Sequence, residues 1–381
     1  MSGLRSFVIW IGAGYLGAAI CSLYFGASFL RFIAAGLGCL LFFIMVYKTQ
    51  LKMRATMLAV IIVVFALFAL GIVNVIWSDG RSVFAVIVLV GVVGLAWSSL
   101  HFRLTSFFYE WPFFALIIMT ISLVLSGYGP KEFNSVLNGY SRNGYSAILL
   151  IFSIGYIFSR LYRGESPSSL LLAVAFLCSL PLYGRAGIVM AALVFLVVLA
   201  HCFRYTALPL ILVGAAVLVF QVDRAASLVA EQTNFSSGLN SPRLEMWVDY
   251  LSRVDVFDLF FGVDLFSVPT IVEYGGNPHN SFIMLHAYFG FGLFLLLAVF
   301  AISAFRLMVN KRILLFSLLC IYLARSFFDI IYLFGLFDYL VAPIFLYFAF
   351  EKQCELQFKK GGRNNVQKNC KAESEALHSN S

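Results

Sequence analysis

The sequence predicts an all-α integral membrane protein of about twelve transmembrane helices, and three observations predict it. Of 381 residues, 62% are hydrophobic and only 12% charged, whereas soluble chains carry about 45–50% and about 25%. Mean hydropathy is +0.94. Phenylalanine alone supplies 41 residues, which suits hydrocarbon contact better than a wetted surface. This composition excludes aqueous enzymes, disordered chains and nucleic-acid-binding domains.

Each element follows from the need for about 20 apolar residues to cross about 30 Å of hydrocarbon. Read on that basis, spans fall at 7–29, 32–47, 55–77, 82–100, 111–128, 144–160, 168–183, 186–202, 205–222, 280–304, 313–332 and 336–350. The first is too long for a signal-peptide core of roughly 7–15 residues and reads as a retained anchor. The seventh and twelfth are short, tilted or partly re-entrant. Four regions result: a bundle of about nine spans at 1–222, a polar loop at 223–279, the last spans at 280–350, and a disordered polar tail at 351–381. None of the seven cysteines lies in the polar loop, so no disulfide framework is implied.

The positive-inside rule sets the orientation. With both termini cytoplasmic, 17 of the 26 Lys and Arg residues fall inside and 9 outside, while 12 of the 18 acidic residues fall outside. The net charge of +8 is therefore a topology signal rather than the mark of a polyanion partner. The basic tail is available to anionic lipid.

The outward loop between the ninth and tenth spans is too small and polar for a core of its own and reads as a cap on the bundle. In it, Ser241-Pro242 starts a helix. Leu244, Trp247, Val248 and Leu251 then recur at i, i+3, i+4, i+7, an amphipathic helix lying on the outer interface with Arg243 in its first turn.

Chemistry gathers at the same rim. Asn277-Pro278-His279-Asn280-Ser281 reads as the start of the tenth span, with Asn277 capping, Pro278 at the first helical position and His279 in the first turn. A helix N-terminus favours a neutral imidazole and a nearby anion. His286 lies on the face of His279. The plainer readings are an interfacial capping role for His279 and a core hydrogen bond for His286. Arg185 and Arg142 occupy outer turns, and Arg325 lies inside the eleventh span. An intramembrane arginine is a functional hypothesis by default, set against an internal pair with Asp329 at i+4. For the other arginines the plainer role is headgroup anchoring. Together they suit a phosphorylated lipid, because guanidinium forks bind phosphate oxygens bidentately. There is no P-loop, no HExxH, no CxxC and no Asp-x-Asp of the kind that holds a metal and a nucleotide sugar. No metal and no cofactor are implied.

Gly184-Arg185-Ala186-Gly187, Ser241-Pro242-Arg243-Leu244-Glu245-Met246-Trp247, Leu259-Phe260-Phe261-Gly262 and Pro278-His279-Asn280-Ser281, with Gly290 eleven residues after His279, occur in that order. With them, residues 140–330 resemble the O-antigen ligase and polymerase superfamily of bacterial inner membranes. One departure is Leu293, where the family has a glycine; here Gly292 comes one residue early. The resemblance implies a metal-independent glycosyltransferase of the bacterial cell inner membrane, with its active site at the periplasmic face and an undecaprenyl-diphosphate-linked oligosaccharide as donor. It implies that Arg185 and Arg243 hold the diphosphate and that His279 serves as base for the acceptor hydroxyl. Asn280, Arg142, Arg325 and His286 are further substrate-binding candidates. Asn-Pro-His-Asn-Ser-Phe-Ile resembles the polymerases, whose acceptor is another lipid-linked repeat unit of O-antigen, capsule or exopolysaccharide. A ligase acting on lipid A-core and a transporter or flippase of the same lipid-linked sugar are the alternatives. Membrane lipid, a flippase and a chain-length regulator are the implied partners.

Overall fold

A computed structural model of the protein describes residues 2–49, 55–76, 81–182, 184–203, 242–330, 333 and 335–358. Most of the described residues are helical and none of them forms a strand; one isolated bridge joins Leu137 and Tyr140. The order begins α1 (Ser2–Phe25), α2 (Ser28–Thr49), α3 (Ala55–Val75), α4 (Arg81–His101), α5 (Trp111–Leu125), α6 (Arg142–Tyr162), α7 (Ser169–Ser179) and α8 (Arg185–Phe203). The polar segment expected as a cap contributes α9 (Pro242–Ser252), α10 (Val256–Phe261) and α11 (Pro269–Val272). The chain then returns through α12 (Ser281–Phe289), α13 (Gly292–Val309) and α14 (Ile313–Ser326) to α15 (Ala342–Phe345) and a helix at 347–358.

Eight described helices are long and apolar enough to cross a membrane: α1 to α6, α8 and α13, with α5 counted together with the π-helical turn Ser106–Glu110 that leads into it. The expectation of about twelve is thus met only in part. The ninth predicted span, 205–222, lies outside the described residues. α7 and α14 are apolar but shorter. The twelfth is no continuous helix: Pro343 follows a turn at Val341, and another turn at Leu346 separates α15 from 347–358.

The tenth span is not one helix. α12 ends at Gly290, whose φ of +48° and ψ of −116° belong to backbone that glycine enters cheaply. α13 restarts at Gly292. A side chain at Gly290 would run into the carbonyl of Phe260, so the break is also where α10 presses closest. Phe291 N–H donates to that carbonyl at 3.1 Å. Asn74 of α3 donates to the carbonyls of Phe261 (3.1 Å) and Ala287 (3.0 Å). These bonds satisfy backbone groups that a break in a low-dielectric layer would otherwise strand.

Small residues let the first helices pack tightly: Gly38 of α2 lies against the backbone at Gly91 and Gly94 of α4, as helix association without a hydrophobic drive requires. α6 is almost wholly enclosed. At the end opposite the cap, Arg163 pairs with Glu110 (2.9 Å) and Arg312 with Glu355 (2.7 Å). The second pair corrects the expectation of a disordered tail from residue 351. Its first eight residues are helical, held by Arg312 and by Tyr347 Oη donating to Glu355 at 2.6 Å; residues 359–381 lie outside the described ones.

Candidate functional site

The cap is positioned through α9. Arg243, Met246, Trp247 and Tyr250 form one helical face; Met246 and Tyr250 are each 1% exposed. The apolar stripe read from the sequence, Leu244, Val248 and Leu251, is left uncovered by the protein, at 59–66% exposure. Only Trp247 belongs to both faces. The helix therefore has two apolar sides, one for the protein and one facing away from it, and a simple alternation of polar and apolar positions conceals the first.

Trp247 does more than fill space: its indole Nε1 donates to the Pro278 carbonyl at 3.0 Å. That bond clamps the segment bearing His279. The helix start lies three residues later than the sequence suggests. Asn280 is the N-cap, its Oδ1 accepting from Phe282 N–H (2.9 Å) and Ile283 N–H (3.2 Å). Asn277 Oδ1 takes the His279 N–H at 2.8 Å, a local turn that competes with helix initiation. His279 itself has φ +48°, so it precedes the helix rather than sitting in its first turn. Asn280 is 3% exposed and spends its carbonyl oxygen on capping, which gives it a scaffolding role beside the substrate-binding one expected.

Four segments distant in sequence meet beside this turn. Arg325, at the end of α14, is 1% exposed. Its Nη2 donates to the Asn143 carbonyl (3.1 Å), Asp329 Oδ2 (3.0 Å) and, at the limit of reach, Ser146 Oγ (3.5 Å). The i,i+4 pair with Asp329 is therefore real. The buried Nε has no hydrogen-bond partner among the described residues. Gly184 and Gly187 lie directly against Asn143 and Ser146, so the glycines around Arg185 bring the start of α8 onto the start of α6. Asp329 holds the start of α12 as well, because its backbone carbonyl accepts from Ser281 Oγ.

Electrostatics links these residues. Burial lowers the pKa of Arg243; Asp329 opposes that, while the positive fields of Arg325 and Arg185 add to it. Burial likewise lowers the pKa of His279, Arg243 lowers it further, and Asp329 partly restores it. Arg243, felt by both Arg185 and Arg325, thus lies within the field of the Asp329 carboxylate that Arg325 binds, beside an imidazole held neutral. The neutral state arises from burial and Arg243, not from the helix start the sequence suggested. Such a site attracts an anion with several oxygens.

Of the expected residues, Arg185, Arg243, Arg325 and His279 come together. Arg142 opens α6 one residue before Asn143, its own N–H donating to Asn134 Oδ1 at 3.0 Å. His286 does not join them. Its Nδ1 is hydrogen-bonded to Tyr250 Oη at 2.8 Å, among Met246, Val263, Leu265 and Ile271, so it fastens α9 to α12. Asn143, Ser146, Ser281 and the bridging place of Asp329 escaped the sequence reading; short polar residues at helix starts were their only signal. Among the described residues no three His, Cys, Asp or Glu side chains converge as metal ligands.

Set against known proteins, the chain matches no protein-family model, no curated protein and no solved structure.

Proposed function

We propose that the chain is a metal-independent glycosyltransferase of the bacterial inner membrane that polymerises undecaprenyl-diphosphate-linked repeat units at the periplasmic face. The observation that supports this most is the gathering of Arg185 and Arg325 about Arg243, with Asp329 paired to Arg325 and Arg243 acting on His279. Arg185 and Arg243 hold the donor diphosphate. The acceptor hydroxyl oxygen attacks the donor's anomeric carbon, and the bond from that carbon to the phosphate oxygen breaks. Negative charge grows on the departing diphosphate, where preorganised cations stabilise it most. His279, neutral because it is buried beside Arg243, takes the hydroxyl proton. Asp329 fixes Arg325 and keeps the imidazole from becoming too weak a base.

The test is transfer by the purified protein in nanodiscs. Supplied with a lipid-diphosphate oligosaccharide, it should build a ladder of longer lipid-linked chains. His279→Ala, Arg185→Gln and Arg243→Gln should each remove the ladder while the protein keeps its elution profile. Transfer only to added lipid A-core would make it a ligase. Unchanged glycan moved between leaflets would make it a transporter.

A further inference from the structure

Beside the cationic site, sharing α6 and α12 with it but walled on the far side by α2 and α4, lies a cavity of about 400 Å³. Pockets of about 300–1,000 Å³ are the usual size for organic ligands. Its walls are apolar: Phe32 from α2, Phe84 and Val88 from α4, Ile148 from α6, and Met284 and Tyr288 from α12. Its polar groups include Arg31 and Tyr140, with the Arg31 guanidinium over the Tyr140 ring at 5.9 Å. Arg31 stands in the first turn of α2, at the end of the bundle where α6 and α8 also start. No carboxylate among the described residues pairs with it. The arrangement is a greasy slot with a cation beside it that no described carboxylate pairs, the shape of an amphiphile with one phosphate end.

Two features bind this slot to the cationic site. α12 begins at Ser281, bonded to Asp329, and three residues later supplies Met284 to the cavity wall. Ile330, also in the wall, directly follows Asp329, whose charge is felt at Tyr140. A head group held by Arg31 therefore lies beside the arginine cluster without occupying it. This matters because polymerisation joins two lipid-anchored glycans, and one diphosphate suffices to meet the charge of Arg185, Arg243 and Arg325.

The geometry points to a second lipid site: the cavity takes the isoprenoid chain of the acceptor, and Arg31, backed by Tyr140, holds its phosphate. This inference rests on the polymerase reading for the acceptor's role, but the binding itself is testable apart from it. Full-length protein in phosphatidylcholine nanodiscs is irradiated with a diazirine-tagged polyisoprenyl phosphate, and the labelled peptides are mapped. Label should fall on 28–32, 84–88 and 284–288. Arg31→Gln should weaken labelling about tenfold, the loss of roughly one charge-assisted hydrogen bond. Ala85→Trp, which fills the slot from α4, should abolish it there. Arg185→Gln should leave it in place.

Displacement by phosphatidylglycerol as readily as by unlabelled polyisoprenyl phosphate would overturn the inference in favour of an ordinary phospholipid site. So would label that ignores both Arg31→Gln and Ala85→Trp. A protein that lengthens glycans but takes no label in the cavity refutes the second site and leaves the enzyme reading intact. One that labels in the cavity but transfers nothing refutes the enzyme reading and leaves the lipid site.

Discussion

Asp329→Asn isolates the charge on which the cationic site balances. Arg325 is 1% exposed and Asp329 8%; their contact is 3.0 Å. Asparagine keeps the shape and a hydrogen-bonding oxygen but leaves the guanidinium buried without a counter-charge, with Nε already unbonded. Breaking a buried pair in this way costs about 3–5 kcal/mol, whereas replacing both partners with residues of similar volume is often close to neutral. Asp329→Asn should therefore lose about that much stability in reversible SDS unfolding, and Arg325→Met/Asp329→Asn should recover most of it. The buried thiols of Cys178 and Cys354 allow the same comparison by thiol-reactive dye on heating. If Asp329→Asn melts with the parent protein, Arg325 has another anion or reaches water, and the description of the cluster is wrong.

Other expectations are more local. Labelled histidine NMR, feasible with five histidines, should show His279 titrating below the ordinary value of about 6.5. Arg243→Gln should move that midpoint up and Asp329→Asn should move it down; movement in one direction for both would contradict the assigned fields. In the proposed reaction the neutral imidazole takes the proton, so transfer should fall only as pH drops through the lowered midpoint. Gly290→Ala should cost roughly 1–2 kcal/mol for its left-handed φ alone, plus a collision with the Phe260 carbonyl, visible as a lower melting temperature. Trp247→Phe removes one hydrogen bond, about 0.5–1.5 kcal/mol, yet should lower turnover more than its stability loss explains, because the turn carrying His279 loosens. Glycan transfer should persist in excess EDTA, read on the same product ladder.

Hydropathy made the first eight helices legible, since a span advertises itself by length and composition. It could not see the break at Gly290, because Phe289 through Leu293 stay apolar on both sides of it. The helix start at Asn280 was hidden for a different reason: Asn277 and Pro278 carry good start signals, but the Asn277 side chain closes a turn on His279 N–H first. Arginine positions foretold most of the cationic site, since charge in an apolar chain needs a reason. The polar residues that hold those arginines, Asn143, Ser146 and Ser281, were unremarkable singly; only the packing of α6, α8 and α12 gives them roles. Asn74 is similar, the lone amide in an otherwise apolar stretch of α3.

That amide has a consequence for how the molecule comes together. At about 1.5 Å per residue, the nine-residue α12 descends only about 13 Å, too little to cross the bilayer by itself. Its loose end and that of α10 are tied by Asn74, from a helix made some two hundred residues earlier. The ends of α10 and α12 therefore gain these two bonds only where α3 already stands beside them, so the turn carrying His279 depends on a helix from the first quarter of the chain.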